Sequence, residues 1–192
     1  MSNTRKITVM AMLAAISIIL VYLIHFPIFP SAPFLEYDPA DIPILIGAFA
    51  FGPVSGLVLT VIASLIQAVT VSASSGAYGF IMHIIPTGTM VLVAGGIYKI
   101  RHTRVGALIG LVCGIVAWGA VMMVANHFIT PAFTGWPTEQ VDALLLPIIL
   151  PFNLIKASVN AFVTFLLYKT VSTYVIKNEG LLMPKDAADK NA

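Results

Sequence analysis

Charge is what this sequence has least of. Only 9% of its 192 residues are charged and 59% are hydrophobic, whereas a soluble domain carries about 25% charged side chains. Too few polar groups remain to wet a surface, and a mean hydropathy of +0.98 makes lipid the solvent for most of the chain. The few charges are also segregated. No Asp, Glu, Lys or Arg occurs from Ile7 to Leu35, from Ile42 to Tyr98, or from Val105 to Thr138. A span takes about 20 apolar residues, so the longest gap holds more than one. Cys113 is the only cysteine; no internal disulfide can form, and it reads as a small packing residue. The net charge of +2 comes from residues flanking apolar runs and implies no nucleic-acid partner. Catalytic signatures are missing too. Without a Gly-Lys dipeptide there is no phosphate-binding loop, so any ATP is used by another chain. His25, His83, His102 and His127 show no metal-ligand spacing, and no Gly-x-Ser-x-Gly motif appears. No metal, cofactor or reaction is expected. Membrane-embedded acids, which a proton-driven pump needs, are absent except for Asp41 at the mouth of a span.

What remains is six apolar segments punctuated by Pro, Gly and Ser. The spacing predicts helices over about 7–29, 41–51, 54–71, 78–100, 105–130 and 146–174. The second is too short to span upright and stops at Gly52-Pro53. Arg5 and Lys6 ahead of the first run could mark a signal peptide, but the run is too long and no small-residue cleavage site precedes a soluble domain. The expected fold is an all-α integral membrane protein, a single six-helix transmembrane domain over 1–177, with a polar cytoplasmic tail at 178–192. Orientation follows from the basic residues. With the N-terminus in the cytoplasm and six crossings of the cell membrane, Arg5, Lys6, Lys99, Arg101, Arg104, Lys169, Lys177, Lys185 and Lys190 fall inside, nine of the ten cations. The outer loops then carry only Glu36, Asp38, Asp41, Glu139 and Asp142.

The tenth cation, Lys156, lies inside the sixth segment, about 15 Å along a helix starting at Leu146. Burying it costs about 3 kcal/mol on insertion scales, so it marks a functional position unless it snorkels outward. Asn153, Lys156, Asn160 and Thr164 fall at i, i+3, i+7 and i+11, one polar stripe that must face the bundle interior. Thr60, Ser64 and Gln67 share a face of the third segment, and His83 and Thr87 share one on the fourth. Asn126 and His127 sit near the outer end of the fifth. Each alone reads equally as a helix–helix hydrogen bond. Together with Phe34, Tyr37, Tyr78 and Trp136 they describe a cavity for a flat, uncharged small molecule. Gly106, Gly110 and Gly114 line one face for close helix packing, and Ala11 and Ala15 do the same on the first helix, against either the bundle or a partner.

Four blocks then resemble a known family, the substrate-capture S components of energy-coupling factor vitamin transporters, and most closely its riboflavin-specific members. They are Arg5-Lys6-Ile7-Thr8 running to Ala11-Met12-Leu13-Ala14-Ala15; Tyr37-Asp38-Pro39-Ala40-Asp41-Ile42-Pro43 with Phe51-Gly52-Pro53-Val54-Ser55-Gly56; Asn126-His127-Phe128 before Pro131; and Leu150-Pro151-Phe152-Asn153-Leu154-Ile155-Lys156. The resemblance implies that Asn126, Asn153 and Lys156 contact the vitamin and that Tyr37 and Asp38 help close over it. Gln67 and His83 join the candidate site from their helices. Ala11 and Ala15 would dock on a transmembrane coupling subunit that works with two ATPase subunits. Two stretches depart from the riboflavin pattern, the pair Ala63-Ser64 ahead of Gln67, and His83. Another vitamin or precursor, such as pantothenate or a pyrimidine, therefore stays open, as more remotely do a membrane enzyme acting on lipid and a channel or scaffold.

Overall fold

The computed structural model describes residues 2–171. The expected tail at 178–192 lies outside the described residues, as do Tyr174, Lys177, Lys185 and Lys190. Six helices carry the described chain: α1 (Asn3–Leu23), α2 (Asp41–Phe51), α3 (Pro53–Val69), α4 (Gly76–Ile100), α5 (Arg104–Thr134) and α6 (Thr138–Val171). Four of them, α1, α4, α5 and α6, are long and apolar enough to cross a membrane. The other two are shorter, at 11 and 17 residues.

α2 is the centre of the bundle. Its sequence is apolar all round, and a helix of that kind has no solvent face to offer; Asp41 through Phe49 are all buried. The chain reverses sharply after it. Gly52 adopts φ +92°, a conformation that L side chains rarely hold, and Pro53 starts α3 where no N–H is needed. α2 and α3 then pack so closely that a Cβ on Gly56 would come 2.6 Å from the Ala48 side chain. The glycine face of α5 meets α4 in the same way. A Cβ on Gly110 would stand 2.8 Å from the Ala94 carbonyl oxygen, so the expected close packing there is intramolecular.

Three boundaries differ from the expectation. α1 ends at Leu23 rather than near Phe29, because Phe26 precedes Pro27 and is steered out of the α region. Phe26–Pro27 instead forms a short strand, β1, antiparallel to Glu36–Tyr37, β2. α5 runs through Pro131 to Thr134 and ends at Gly135, in the left-handed conformation. α6 begins early, at Thr138, and passes through a π-helical turn at Leu145–Ile149. Pro147 and Pro151 each lack an N–H, and the wider turn accommodates the donors missing from the ladder. The loop joining the two strands rests on α6 through a small apolar cluster of Ala32, Leu35, Val141, Ile149 and Phe152. That cluster sets the loop over the polar stripe.

Candidate ligand-binding site

The stripe on α6 faces inward as its spacing requires. Asn153, Lys156, Asn160 and Thr164 are all buried. Lys156 does not snorkel: it is 8% exposed, and its ammonium meets Asp38 Oδ2 at 2.6 Å and donates more weakly to the Glu36 carbonyl at 3.4 Å. A desolvated ion pair needs its remaining donors and acceptors satisfied. Asp38 meets that demand by accepting from the Ala40 backbone N–H at 3.0 Å.

Asn160 ties this pair to a second buried charge. Its Nδ2 donates to the Asp38 carbonyl at 3.0 Å and to Asp41 Oδ2 at 2.8 Å. Its Oδ1 accepts from the Tyr37 hydroxyl at 3.1 Å. Burial, with the neighbouring Asp38 carboxylate, raises the Tyr37 phenol above its ordinary range, so it stays protonated as a donor. Asp41 is wholly buried rather than standing at a mouth, and it accepts from Thr87 at 2.6 Å. His83 lies 3.5 Å away through Nε2, within ion-pair range but making no hydrogen bond. Its Nδ1 pairs with Ser64 Oγ at 2.6 Å.

Beside this network lies a cavity lined by α3, α4, α5, α6 and the loop before α2. Of the seven candidate ligand residues, Asp38, Gln67, His83, Asn126, Asn153 and Lys156 line it. Tyr37 does not; it stands behind, bracing Asn160. Phe34, Tyr78, Trp118, Phe133 and Phe152 supply aromatic walls, and Trp136 reaches the site only by packing edge-on against Phe34.

Counting donors shows what the cavity offers. An ammonium has three N–H groups and an amide nitrogen two. Asp38 and Glu36 take two from Lys156, leaving one. Asn126 gives one to the Met122 carbonyl and accepts from Thr130, leaving one. Asn153 gives one to the Ile149 carbonyl and accepts from Trp118 Nε1 at 2.9 Å, leaving one. Gln67 Nε2 is buried with no partner. A buried unpaired donor costs about 1–3 kcal/mol, so this cavity is poised for a ligand rich in acceptors. Asp38, Asp41 and His83 also bring ligating atoms within 4.8 Å of one another. Those carboxylates are already engaged by Lys156, Asn160 and Thr87.

The chain matches the family model described as the substrate-specific component of ECF transporters over residues 5–168. It belongs to that family. Relatives include the riboflavin transporter RibU of Staphylococcus aureus (strain TCH60), 26% identical over 91% of this chain and 94% of that protein. The riboflavin transporter FmnP of Bacillus subtilis (strain 168) is 28% identical over 90% of this chain and 95% of its own. A solved structure of the S component of a bacterial ECF transporter superposes with a TM-score of 0.79 at 25% identity, covering 92% of this chain and 100% of that one. The chain is therefore a multi-pass membrane transport component and not an enzyme.

Some of the candidate site was missed in the sequence. Trp118 is one of two tryptophans and stands amid an apolar run, where its indole N–H needs a partner; that alone could have pointed to Asn153. The role of Asn160 as a three-way joint had no signal beyond its place on the stripe. The two alanines expected to dock on a partner lie apart from this cavity. Ala11 and Ala15 are exposed on α1, as are Met12 and Ile16 between and beyond them, whereas Ala14 is buried.

Proposed function

We propose that this S component captures riboflavin from the extracellular side and delivers it through a complex with a transmembrane coupling subunit and two ATPase subunits. One observation carries the reading: unspent donors from Lys156, Asn126, Asn153 and Gln67 converge on a single aromatic-walled cavity. Riboflavin presents two ring carbonyls, ring nitrogens and ribityl hydroxyls as acceptors, on a flat apolar ring system that aromatic side chains can sandwich. The names of the relatives support the same vitamin. Tyr37 and Asp38 shape the loop that covers the ligand, and His83 sets the wall opposite α6. Six crossings with both termini in the cytoplasm put this cavity on the outer side, with the α2–α3 hairpin supplying two shorter passes. The exposed Ala11 and Ala15 leave a low surface on α1 for the coupling subunit. ATP binds only the partner subunits, so this chain needs no cofactor of its own.

Titrating riboflavin into the purified protein tests this through quenching of flavin fluorescence. Tight saturable binding is expected, and Asn153→Leu should weaken it at least tenfold, since a lost hydrogen bond and a disturbed Trp118 act together. Absence of riboflavin binding, with pantothenate or a pyrimidine bound instead, would refute the choice of vitamin.

A further inference from the structure

At the end of the bundle remote from the ligand cavity, the α2–α3 reversal and the end of α4 enclose a second cavity. Its walls are Phe49, Phe51, Pro53, Val54 and Tyr98, and its charged rim is Lys99 and His102. Tyr98 and His102 stack face to face, with centroids 5.2 Å apart and planes 10° from parallel. Phe49 and Tyr168 hold Tyr98 in place at 4.7 and 5.7 Å, so the rim is built on a fixed aromatic cluster. Lys6 lies over the outer wall, its ammonium 5.8 Å from the Phe51 ring centre. Arg101 lies between the two rim residues in sequence, and Arg104 follows His102 by two. The acids of the described residues, Glu36, Asp38, Asp41, Glu139 and Asp142, all belong to the opposite end.

We infer that this cavity holds the phosphate of an anionic phospholipid, with Lys99 and His102 as donors and Lys6 adding charge. Cationic side chains beside apolar walls at a helix end fit a headgroup that is anionic above and hydrocarbon below. The cavity's edge adjoins exposed apolar surface. Val54 on its edge is 72% exposed and Ile100, next to the rim, is 84% exposed; in a membrane both face acyl chains. A free inorganic anion would use the cations and leave those walls unused, so the lipid is the occupant the surface fits.

Native mass spectrometry of the full chain, released from micelles doped with phosphatidylglycerol or phosphatidylcholine of the same acyl length, tests the inference. Wild type should retain one phosphatidylglycerol in preference to phosphatidylcholine. Lys99→Gln with His102→Gln should reduce that retention about tenfold or more, the scale of one lost charged hydrogen bond. Val54→Glu places an acid at the cavity's edge, where it repels the phosphate, and should give the same loss. Circular dichroism and melting temperature establish that each variant is folded. Equal retention of both lipids, unchanged retention in folded variants, or displacement of the lipid by millimolar inorganic phosphate would each overturn the proposal.

Discussion

Replacing Lys156 with Met keeps the length of the side chain and its apolar stem while deleting the charge. In an isolated helix the change would relieve the cost of burying a cation and would stabilise the protein. The structure predicts the reverse. Lys156 and Asp38 are 2.6 Å apart with side chains only 10% and 12% exposed, so solvent screens them little. Removing one partner of such a pair costs about 3–5 kcal/mol, because the other charge stays buried and uncompensated. For a chain of this size each kcal/mol moves the melting temperature by about 2–4 °C. Lys156→Met should therefore melt roughly 6–20 °C below wild type. Asp38→Asn keeps the acceptor for the Ala40 N–H but strands the ammonium, and should lose a similar amount. The double variant removes both charges and should recover most of the loss, since replacing a whole buried pair is often near neutral. Thermal unfolding in detergent, followed by the fluorescence of Trp118 and Trp136, gives the coupling energy directly. Losses that add to within about 0.5 kcal/mol would refute the pairing.

Two further predictions address the frame around the site. With Cys113 replaced by Ala, single cysteines in the 72–76 turn or at Trp136 should react with impermeant maleimides from outside intact cells, and one at His102 should not; outside labelling at His102 would sink the six-crossing orientation. Ala15→Trp should abolish uptake in cells while the purified variant binds riboflavin as wild type does, because a ring on the exposed face of α1 holds a partner away. Equal loss of binding and uptake would assign that face to internal packing instead.

Much of the fold was legible because a membrane makes few demands and makes them strictly. Helix positions followed from apolar runs, and the inward face of α6 followed from Asn153, Lys156, Asn160 and Thr164 at helical spacing. Boundaries were less legible where proline was read as a stop. Pro131 lies within α5, because neighbouring helices can compensate a lost backbone bond inside a bundle, and Pro147, read as the entry to the last helix, sits in a π-turn inside it. Hydrophobicity misled at the end of α1, where Phe26 and Pro27 are apolar yet extended. The charge partners were the least legible. Asp38 and Lys156 are 118 residues apart, and neither carries a local pattern naming the other.

Those missing pairings explain why the site resisted assignment helix by helix. Among the described residues the bundle buries one cation and two carboxylates, and none could be kept there alone at tolerable cost. Lys156 needs the loop before α2, since Asp38 and the Glu36 carbonyl come from it. Asp41 needs α4 and α6, through Thr87 and Asn160. Asn160 then joins the two groups by donating to both Asp38 and Asp41 and accepting from Tyr37. Displacing the loop would therefore strip Lys156 of its counter-charge and Asn160 of two partners at once. The loop, the central α2 helix and the polar stripe on α6 hold their positions together, and the cavity-lining Lys156 and Asp38 are braced by Asn160 and Tyr37, which stand outside the lining.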